Sequence, residues 1–479
     1  MADESRQNFS VHDSIEHIWT KLGLPKDALN SLNLVNYGEC YSSSFKVDHL
    51  AHASIALSAL SASLFWSART GSTLPRVSVN KGHACAEFIS ERLFTLNGRR
   101  LDSPFNTIGG LHKTLDGYVR MHDGFPHHRK NALEILGLQE DAGRDEVVAK
   151  MLEWKSVDLE RAAFEKEAVI VALRSFEEWD ALPQSRAVPE FPVVLRKIPT
   201  HAAPVKSASR SGVQNSCLQG IRVVELSRVI AAPVAGRTLA AHGADVIWVT
   251  SPTLPNQPDL DTDTARGKRT VQLNIKKPED KAKLLELIRT ADVFLSSYRP
   301  GSLAAQGFST AELTKLNPNL IVASLNAWGE EGPWAMNRGF DSLVQTASGI
   351  NFAEAIRYGQ GEPARVLPCQ ALDHGSGYLL ATGVLAALYH RAVSGGVYEV
   401  HVSLAGVMEY LRSLGPMPRE EAFVQSGFPD SASLETFMET RDSDLGVLKA
   451  ITHSGSVDGL EVGYKSMPKP LGSDKPVWL

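Results

Sequence analysis

The sequence predicts an α/β protein with a Rossmann-like, mostly parallel sheet and a smaller α+β domain beside it. Three observations predict this. From residue 221 onward, short apolar runs alternate with helical segments, the pattern of parallel strands joined by crossover helices. Residues 200–216 read THAAPVKSASRSGVQNS, a Ser- and Ala-rich stretch without hydrophobic period, which has the composition of a joint. The chain has 479 residues, more than one small domain needs. The expected division is a front block at 1–199, a linker at 200–216, the parallel-sheet domain at 217–415 and an extended tail at 416–479. Pro416, Pro418, Pro429, Pro468 and Pro470 interrupt regular structure in the tail.

In chain order, Ile221 to Leu226 (IRVVEL) has the length of a buried strand. Ala231 to His242 (AAPVAGRTLAAH) is helical, with Pro233 tolerable in its first turn. Gly243 ends that helix, and Ala244 to Val249 (ADVIWV) is a second strand, completing a right-handed βαβ unit. Lys281 to Thr290 is helical, Asp292 to Ser296 (DVFLS) a strand, Thr310 to Leu316 helical and Leu320 to Leu325 (LIVASL) a strand. A partial repeat links the two blocks. Val47 to Gly71 and the stretch from Leu372 each open on Asp-His (Asp48-His49, Asp373-His374), continue as an Ala-rich helix and end near glycine. A short alternating segment follows each, PRVSVN (Pro75 to Asn80) and YEVHVS (Tyr398 to Ser403), which points to a common origin.

Bulk composition excludes several classes. Hydrophobic residues are 43% and charged residues 22%, a globular balance. The net charge of −5, with both signs interspersed, predicts neither nucleic acid nor a membrane surface as partner. Ile55 to Trp66 is the longest apolar stretch, broken by serines and read as too short to span a bilayer. Cys40, Cys85, Cys217 and Cys369 lie far apart in sequence, which predicts a reducing compartment and no zinc framework. With no apolar signal core at the start of the chain, the cytoplasm is expected.

Common catalytic motifs are missing. The turn after Leu226 is Ser227-Arg228-Val229-Ile230, not a dinucleotide-binding Gly-x-Gly-x-x-Gly. No phosphate-binding Gly-x-x-x-x-Gly-Lys-Ser/Thr and no Gly-x-Ser-x-Gly occur. His122, His127 and His128 lack metal-ligand spacing and are expected at the surface or as caps. What remains is an ordered series: ARGKRT around Arg266 to Arg269, YRPG at Tyr298 to Gly301, SLNAWGEEGPW at Ser324 to Trp334, and GFDSLVQTASG at Gly339 to Gly349.

With GIRVVELSRVIAAPVAGRTLAAHGADVIWV (Gly220 to Val249) in front of it, this series resembles the class III CoA-transferases. That superfamily contains formyl-CoA transferase, carnitine CoA-transferase and alpha-methylacyl-CoA racemase. The resemblance covers about 190 residues in order. It implies a CoA-binding Rossmann-like domain and transfer of CoA between an acyl-CoA and a small carboxylic acid, with CoA as substrate and no tightly bound cofactor. It also implies that Asp341 is the carboxylate that forms an acyl anhydride and then an aspartyl-CoA thioester, nucleophilic catalysis that divides one exchange into easier steps. Asp341 also stands where a helix begins, and a helix N-terminus favours an anion. By the same resemblance Arg266, Lys268, Tyr298 and Arg299 lie near the nucleotide, and Ile230 near the pantetheine and thioester.

Racemase-like members carry histidine where this chain has Phe340, which cannot move protons. This favours transfer over the alternative, an acyl-CoA racemase or epimerase. A CoA-binding protein without catalysis is the non-enzyme alternative. Asp373 matches the racemases' opposite base and is expected here to be structural, like Asp48. In the front block, Asp116 to Leu138 and Val169 to Ala187 resemble the family's small domain, so family order is reversed by circular permutation or tandem fusion. A homodimer is compatible with either.

Overall fold

The apolar runs of the second half form one sheet in the computed structural model, which describes residues 6–101, 107–199, 214–423, 428 and 431–479. Its strands are β1 (Val193–Ile198), β2 (Arg222–Leu226), β3 (Asp245–Thr250), β4 (Arg269–Gln272), β5 (Val293–Ser296), β6 (Ile321–Asn326) and β7 (Val397–Ser403). Their lateral order is β4-β3-β2-β5-β6-β7-β1. All neighbours are parallel except β7 and β1. A parallel sheet covered on both faces needs apolar residues on both sides, and Val223, Val224, Phe294 and Leu295 are all buried. The strand order changes direction between β2 and β5, which opens a crevice at the carboxyl ends of those strands.

Helix α1 (Val47–Thr70) and helix α4 (Ala371–Ser394) are the two helices of the internal repeat, and they pack on each other. In the front block the parallel pair Leu32–Val35 and Val77–Asn80 flanks α1 in sequence. In the back block the parallel pair β6 and β7 flanks α4. The repeat is thus a repeated strand–helix–strand unit. Between the members of each pair the sequence resemblance lies in the helix and the strand after it. By length and composition α1 could cross a membrane, contrary to the reading of its apolar stretch as too short. Here its residues Val47 to Phe65 are almost all buried in protein.

Two further helices set the site: α2 (Ala231–Ala241) and α3 (Asp341–Ala347). Glycine lets α4 approach its neighbours closely. A Cβ on Gly377 would stand 2.5 Å from Ala231 O and 2.8 Å from Val234, and one on Gly375 would stand 3.0 Å from Leu50 Cδ2. The start of α4 therefore lies directly beside the start of α2. Any side chain at Gly377 would push them apart.

The smaller α+β unit lies within the front block. Strands Gly110–Lys113, Tyr118–Met121 and Ile170–Ala172 form an antiparallel sheet. Helices Pro126–Leu136, Arg144–Met151 and Ser156–Glu165 enclose a separate core around Val119, Leu133, Val147 and Leu159. The rest of the front block shares the main core, and its strand β1 completes the main sheet. The linker expectation falls mostly on residues 200–213, outside those described.

The expectation of an extended tail is corrected. Residues 438–443 and 446–451 form a hairpin that pairs with Thr95–Leu96, and Gly455–Val457 pairs with Val77–Asn80. Pro416 and Pro418 precede these strands and Pro468 and Pro470 follow them, so none of the four has to donate to a ladder. Only the last residues are extended. Asp474 N donates to Thr270 O at 3.0 Å, Thr270 N to Asp474 Oδ2 at 2.8 Å and Trp478 Nε1 to Leu287 O at 3.2 Å. This strap covers the otherwise open edge at β4.

Candidate functional site

Two cavities meet over the carboxyl ends of β2, β5 and β6. One, of about 320 Å³, is bounded by Arg228, Ile230, Tyr298, Arg299, Arg338 and Leu404 among others. The other, of about 490 Å³, is bounded by Glu91, Arg120, His122, Gln257, Asp341 and Gln370 among others. Val229, Ile230, Phe340 and Asp373 belong to both. The first cavity mixes apolar wall with cationic rim, and the second is largely polar.

The turn after β2 is strained. Val229 has φ +70°, a left-handed conformation that is an outlier for a β-branched residue. It sits where the two cavities join. Beside it Arg228 lies 4.3 Å over the Phe125 ring and donates to Pro255 O. Burial lowers the pKa of Arg228, with Tyr298 and Asp261 acting against the shift. Across the cleft, Arg299 and Arg338 share one acid: Glu167 is 3.5 Å from Arg299 and 2.9 Å from Arg338. With one carboxylate for two guanidinium groups and none within ion-pair distance of Arg228 among the described residues, this rim keeps a positive excess.

The structure places Ile230, Tyr298 and Arg299 along the first cavity. It corrects Arg266 and Lys268, which are 0% and 2% exposed and line neither cavity. Arg266 donates to Asp263 Oδ1 at 2.5 Å and lies 4.5 Å over Tyr464. Lys268 donates to Glu225 Oε1 at 2.8 Å and Pro233 O at 2.7 Å. Both cations are paired inside the protein, and neither reaches a cavity wall. Lys268→Met is therefore expected to lower the melting temperature, with a cost of about 3–5 kcal/mol for breaking a buried pair. Thermal unfolding and acyl-CoA titration check this together, and affinity for acyl-CoA should change less than stability does.

Asp341, which the resemblance marks as the reactive carboxylate, lines the polar cavity at the first turn of α3. Asp341 is 1% exposed. Its Oδ2 accepts from Leu372 N at 2.8 Å and Asp373 N at 3.0 Å, and its Oδ1 accepts from the Gln345 amide. It caps the first turn of α4 from outside, covering amides that the helix itself cannot satisfy. Burial raises its pKa to about 6, while these hydrogen bonds pull the other way. Three of its roughly four acceptor sites are thus occupied, and one on Oδ1 stays open.

Asp373 borders both cavities, whereas Asp341 borders only the polar one. Among the described residues no donor meets its side-chain oxygens. Burial first, then the charges of Asp341 and Glu91, hold its pKa well above the usual carboxylate range. Its repeat partner differs. The Asp48 carboxylate accepts from Cys40 N at 2.6 Å and Tyr41 N at 3.2 Å and lies 3.6 Å from Lys81 Nζ. The repeat therefore aligns a structural aspartate with one that is exposed to a cavity, and alignment alone cannot separate them.

His122 also escaped sequence reading. It stacks on Phe340 with ring centroids 4.1 Å apart and lines the polar cavity. Burial lowers its pKa to about 4, so the imidazole is neutral at neutral pH. His127 and His128 line the first cavity instead of forming a cap or plain surface. Among the described residues, the one group with metal-ligand geometry is Cys40, Asp48 and Cys85. The two amides and Lys81 already occupy Asp48 there.

Comparison with known proteins adds a family. Residues 218–423 match CoA-transferase family III. An acyl-CoA transferase of Gibberella moniliformis is 32% identical over 271 residues, 55% of this chain and 48% of that protein. A Mycobacterium tuberculosis protein named "Probable fatty acyl-CoA transferase Rv3272" is 34% identical over 227 residues, 43% of this chain and 57% of that one. The crystal structure of Rv3272 aligns with a TM-score of 0.38 and 32% identity, covering 42% of this chain and 57% of that chain. The chain spans about half the length of the curated relatives it matches.

Proposed function

Because residues 218–423 belong to CoA-transferase family III, we propose that this protein moves CoA from an acyl-CoA to a carboxylic acid, with Asp373 as the residue that carries the acyl group. The observation that carries the reading is the Asp373 carboxylate, bordering both cavities and unmet by any donor among the described residues.

In the first step an Asp373 oxygen attacks the thioester carbonyl. The C–S bond breaks, CoA leaves as thiolate and a mixed anhydride forms. The thiolate then attacks the aspartyl carbonyl, releasing the donor acid and leaving an aspartyl-CoA thioester. The acceptor carboxylate attacks that thioester, CoA leaves again and a second anhydride forms. Attack of CoA on the acceptor's carbonyl gives the new acyl-CoA and restores Asp373. Each step exchanges one carbonyl bond for another of similar energy, which is the use of a covalent carrier. The position of Asp373 in the first turn of α4 favours its charged form through the helix dipole. No tightly held cofactor enters these steps, and the cytoplasm and a homodimeric state remain parts of the proposal.

The first cavity suits the CoA. Arg228, Arg299 and Arg338 offer charge-assisted hydrogen bonds to phosphate, while Ile230, Ala231 and Leu404 give apolar wall for the pantetheine. Arg228→Ala is expected to weaken CoA binding about tenfold at low ionic strength, the scale of one or two charge-assisted bonds. Titration at rising salt checks it, because the difference from wild type should narrow as charge is screened.

Hydroxylamine added with an acyl-CoA tests the carrier directly. A hydroxamate on the peptide holding Asp373 is expected by mass spectrometry. A hydroxamate on Asp341 instead would overturn the assignment. Tight CoA binding with no adduct from a broad panel of acyl-CoAs would favour a non-catalytic CoA-binding protein.

One observation favours a second reading, exchange of the proton next to the thioester carbonyl. His122 borders the same cavity as Asp373 and stacks on Phe340, the position at which racemase-like members are expected to carry histidine. In heavy water, deuterium appearing at the α-carbon of recovered acyl-CoA, and lost in His122→Gln, would support it.

A further inference from the structure

Among the described residues, Arg120 is a cation without a partner. It lies on the strand Tyr118–Met121 of the smaller unit, where Val119 and Met121 point into that unit's core. Alternation sends Arg120 to the opposite side, where it lines the polar cavity with Asp341 and Asp373. Among the described residues its guanidinium makes no hydrogen bond and no ion pair. The other arginine of that cavity is engaged: Arg92 donates to Pro368 O at 2.8 Å and lies 3.2 Å from Glu91 Oε1. Burial lowers the pKa of Arg120, opposed by the Asp341 charge.

A half-buried guanidinium with five unused donors calls for an anion. Its planar fork matches a carboxylate in bidentate fashion. The phosphates of CoA have their own cationic rim in the other cavity, so a second kind of anion is required here. A second polar residue, Gln257, lines the same cavity. Gln257 is 4% exposed, and its Nε2 donates to Gly124 O at 2.9 Å. Its Oε1 is buried without a donor. An acceptor in that state suits a ligand that brings an O–H group. Gln370, Ser342 and Glu91 extend the polar wall. A hydrocarbon chain packed there would leave these groups desolvated and unpaired.

We propose that Arg120 anchors the carboxylate of the acid substrate, and that the polar cavity selects short acids bearing a hydroxyl or second carboxyl group over unbranched fatty acids. This rests on the transferase reading above, whose acid must reach Asp373 from the side that CoA does not fill.

The test uses the full chain, acetyl-CoA as donor, and succinate, malate, hexanoate and octanoate as acceptors. The polar acids are expected to be used with kcat/KM at least tenfold above the fatty acids. Arg120→Met should raise KM for succinate at least tenfold, with a smaller effect on kcat and on hydroxamate formation from acetyl-CoA. Arg120→Lys should recover part of the affinity. Equal KM for succinate in wild type and Arg120→Met, or preference for octanoate, would overturn the proposal. Calorimetric titration with succinate alone separates it from the transferase reading. Succinate bound by wild type and lost in Arg120→Met supports the anchor even if no hydroxamate forms. Hydroxamate on Asp373 with unchanged succinate binding would overturn the anchor and leave transfer standing.

Discussion

Asp373→Asn is expected to abolish acyl transfer, with kcat reduced about a thousandfold or more, the loss typical of removing a covalent nucleophile. CoA binding should persist, because the cationic rim of Arg228, Arg299 and Arg338 is untouched. The matching change, Asp341→Asn, should act differently. Asparagine retains one carbonyl oxygen to accept from Leu372 N and Asp373 N, the two bonds that Asp341 Oδ2 makes, so α4 keeps its cap. What disappears is a negative charge that raises the Asp373 pKa. The acid limb of the rate of hydroxamate formation follows ionisation of Asp373 and lies above the ordinary carboxylate range in wild type. In Asp341→Asn that limb should move to lower pH, since one obstacle to ionisation is gone. A pH–rate profile of both variants and wild type decides the matter. Activity lost equally in both, or an acid limb that stays where it was in Asp341→Asn, would contradict the division of labour between these two aspartates.

The second large effect concerns folding. Asp263 joins three elements through buried bonds. Its Oδ2 accepts from Arg237 Nη1 at 2.5 Å and Ser90 Oγ at 2.7 Å, and its Oδ1 accepts from Arg266 Nη2 at 2.5 Å. Arg237, Asp263 and Arg266 are all 0% exposed. Asp263→Ala would leave two guanidinium groups inside the protein with only Glu87, 3.9 Å from Arg237 Nη2, nearby. Breaking such a network costs about 3–5 kcal/mol, which thermal unfolding should report as a fall in Tm of about 3–5 °C for a chain of this length. Burial opposes ionisation of Asp263, yet the Arg237 and Arg266 charges hold its pKa below the unfolded value of 3.8. A depressed carboxylate pKa gives stability that is complete above the unfolded value and is lost as pH falls through the folded one. The gap between wild type and Asp263→Ala should accordingly be full at neutral pH and narrow only in strong acid.

These two sites show how differently the parts of this protein are legible. The main sheet could be read closely from local pattern. Strands at 221–226, 292–296 and 320–325 were expected, and the structure has them within a residue at each end. Each is a short apolar run buried on both faces, and such a run has little other use. Strand β1 was not read, because VVLRKI alternates weakly and lies in a block whose other elements belong to a different unit. The tail misled for a related reason. Pro418 and Pro468 flank a segment that holds all of the tail's strands, and sequence alone does not say whether anything pairs between such breaks.

The site was half legible. Ile230, Tyr298 and Arg299 follow strands β2 and β5, and residues at such strand ends open on the crevice of any parallel sheet. Arg266 and Lys268 looked like phosphate ligands because their charge is visible in sequence and their partners are not. Glu225, which meets Lys268, is 43 positions away. Asp263, which meets Arg266, is only three positions away, but it also meets Arg237 from another helix.

What the sequence determined by itself was the α/β class, the succession of strands and helices along the second half and the motifs that carry the family resemblance, since each rests on neighbours in the chain. Tertiary structure alone decided which donors meet each aspartate. Asp341 and Asp373 both begin helices, and both border the polar cavity. Where glycine-lined α4 settles beside α2, its first amides bond to Asp341. One carboxylate thereby accepts three hydrogen bonds, and the other meets no donor among the described residues. A carboxylate's reactivity depends on the donors around it, and those are set by packing between segments remote in the chain.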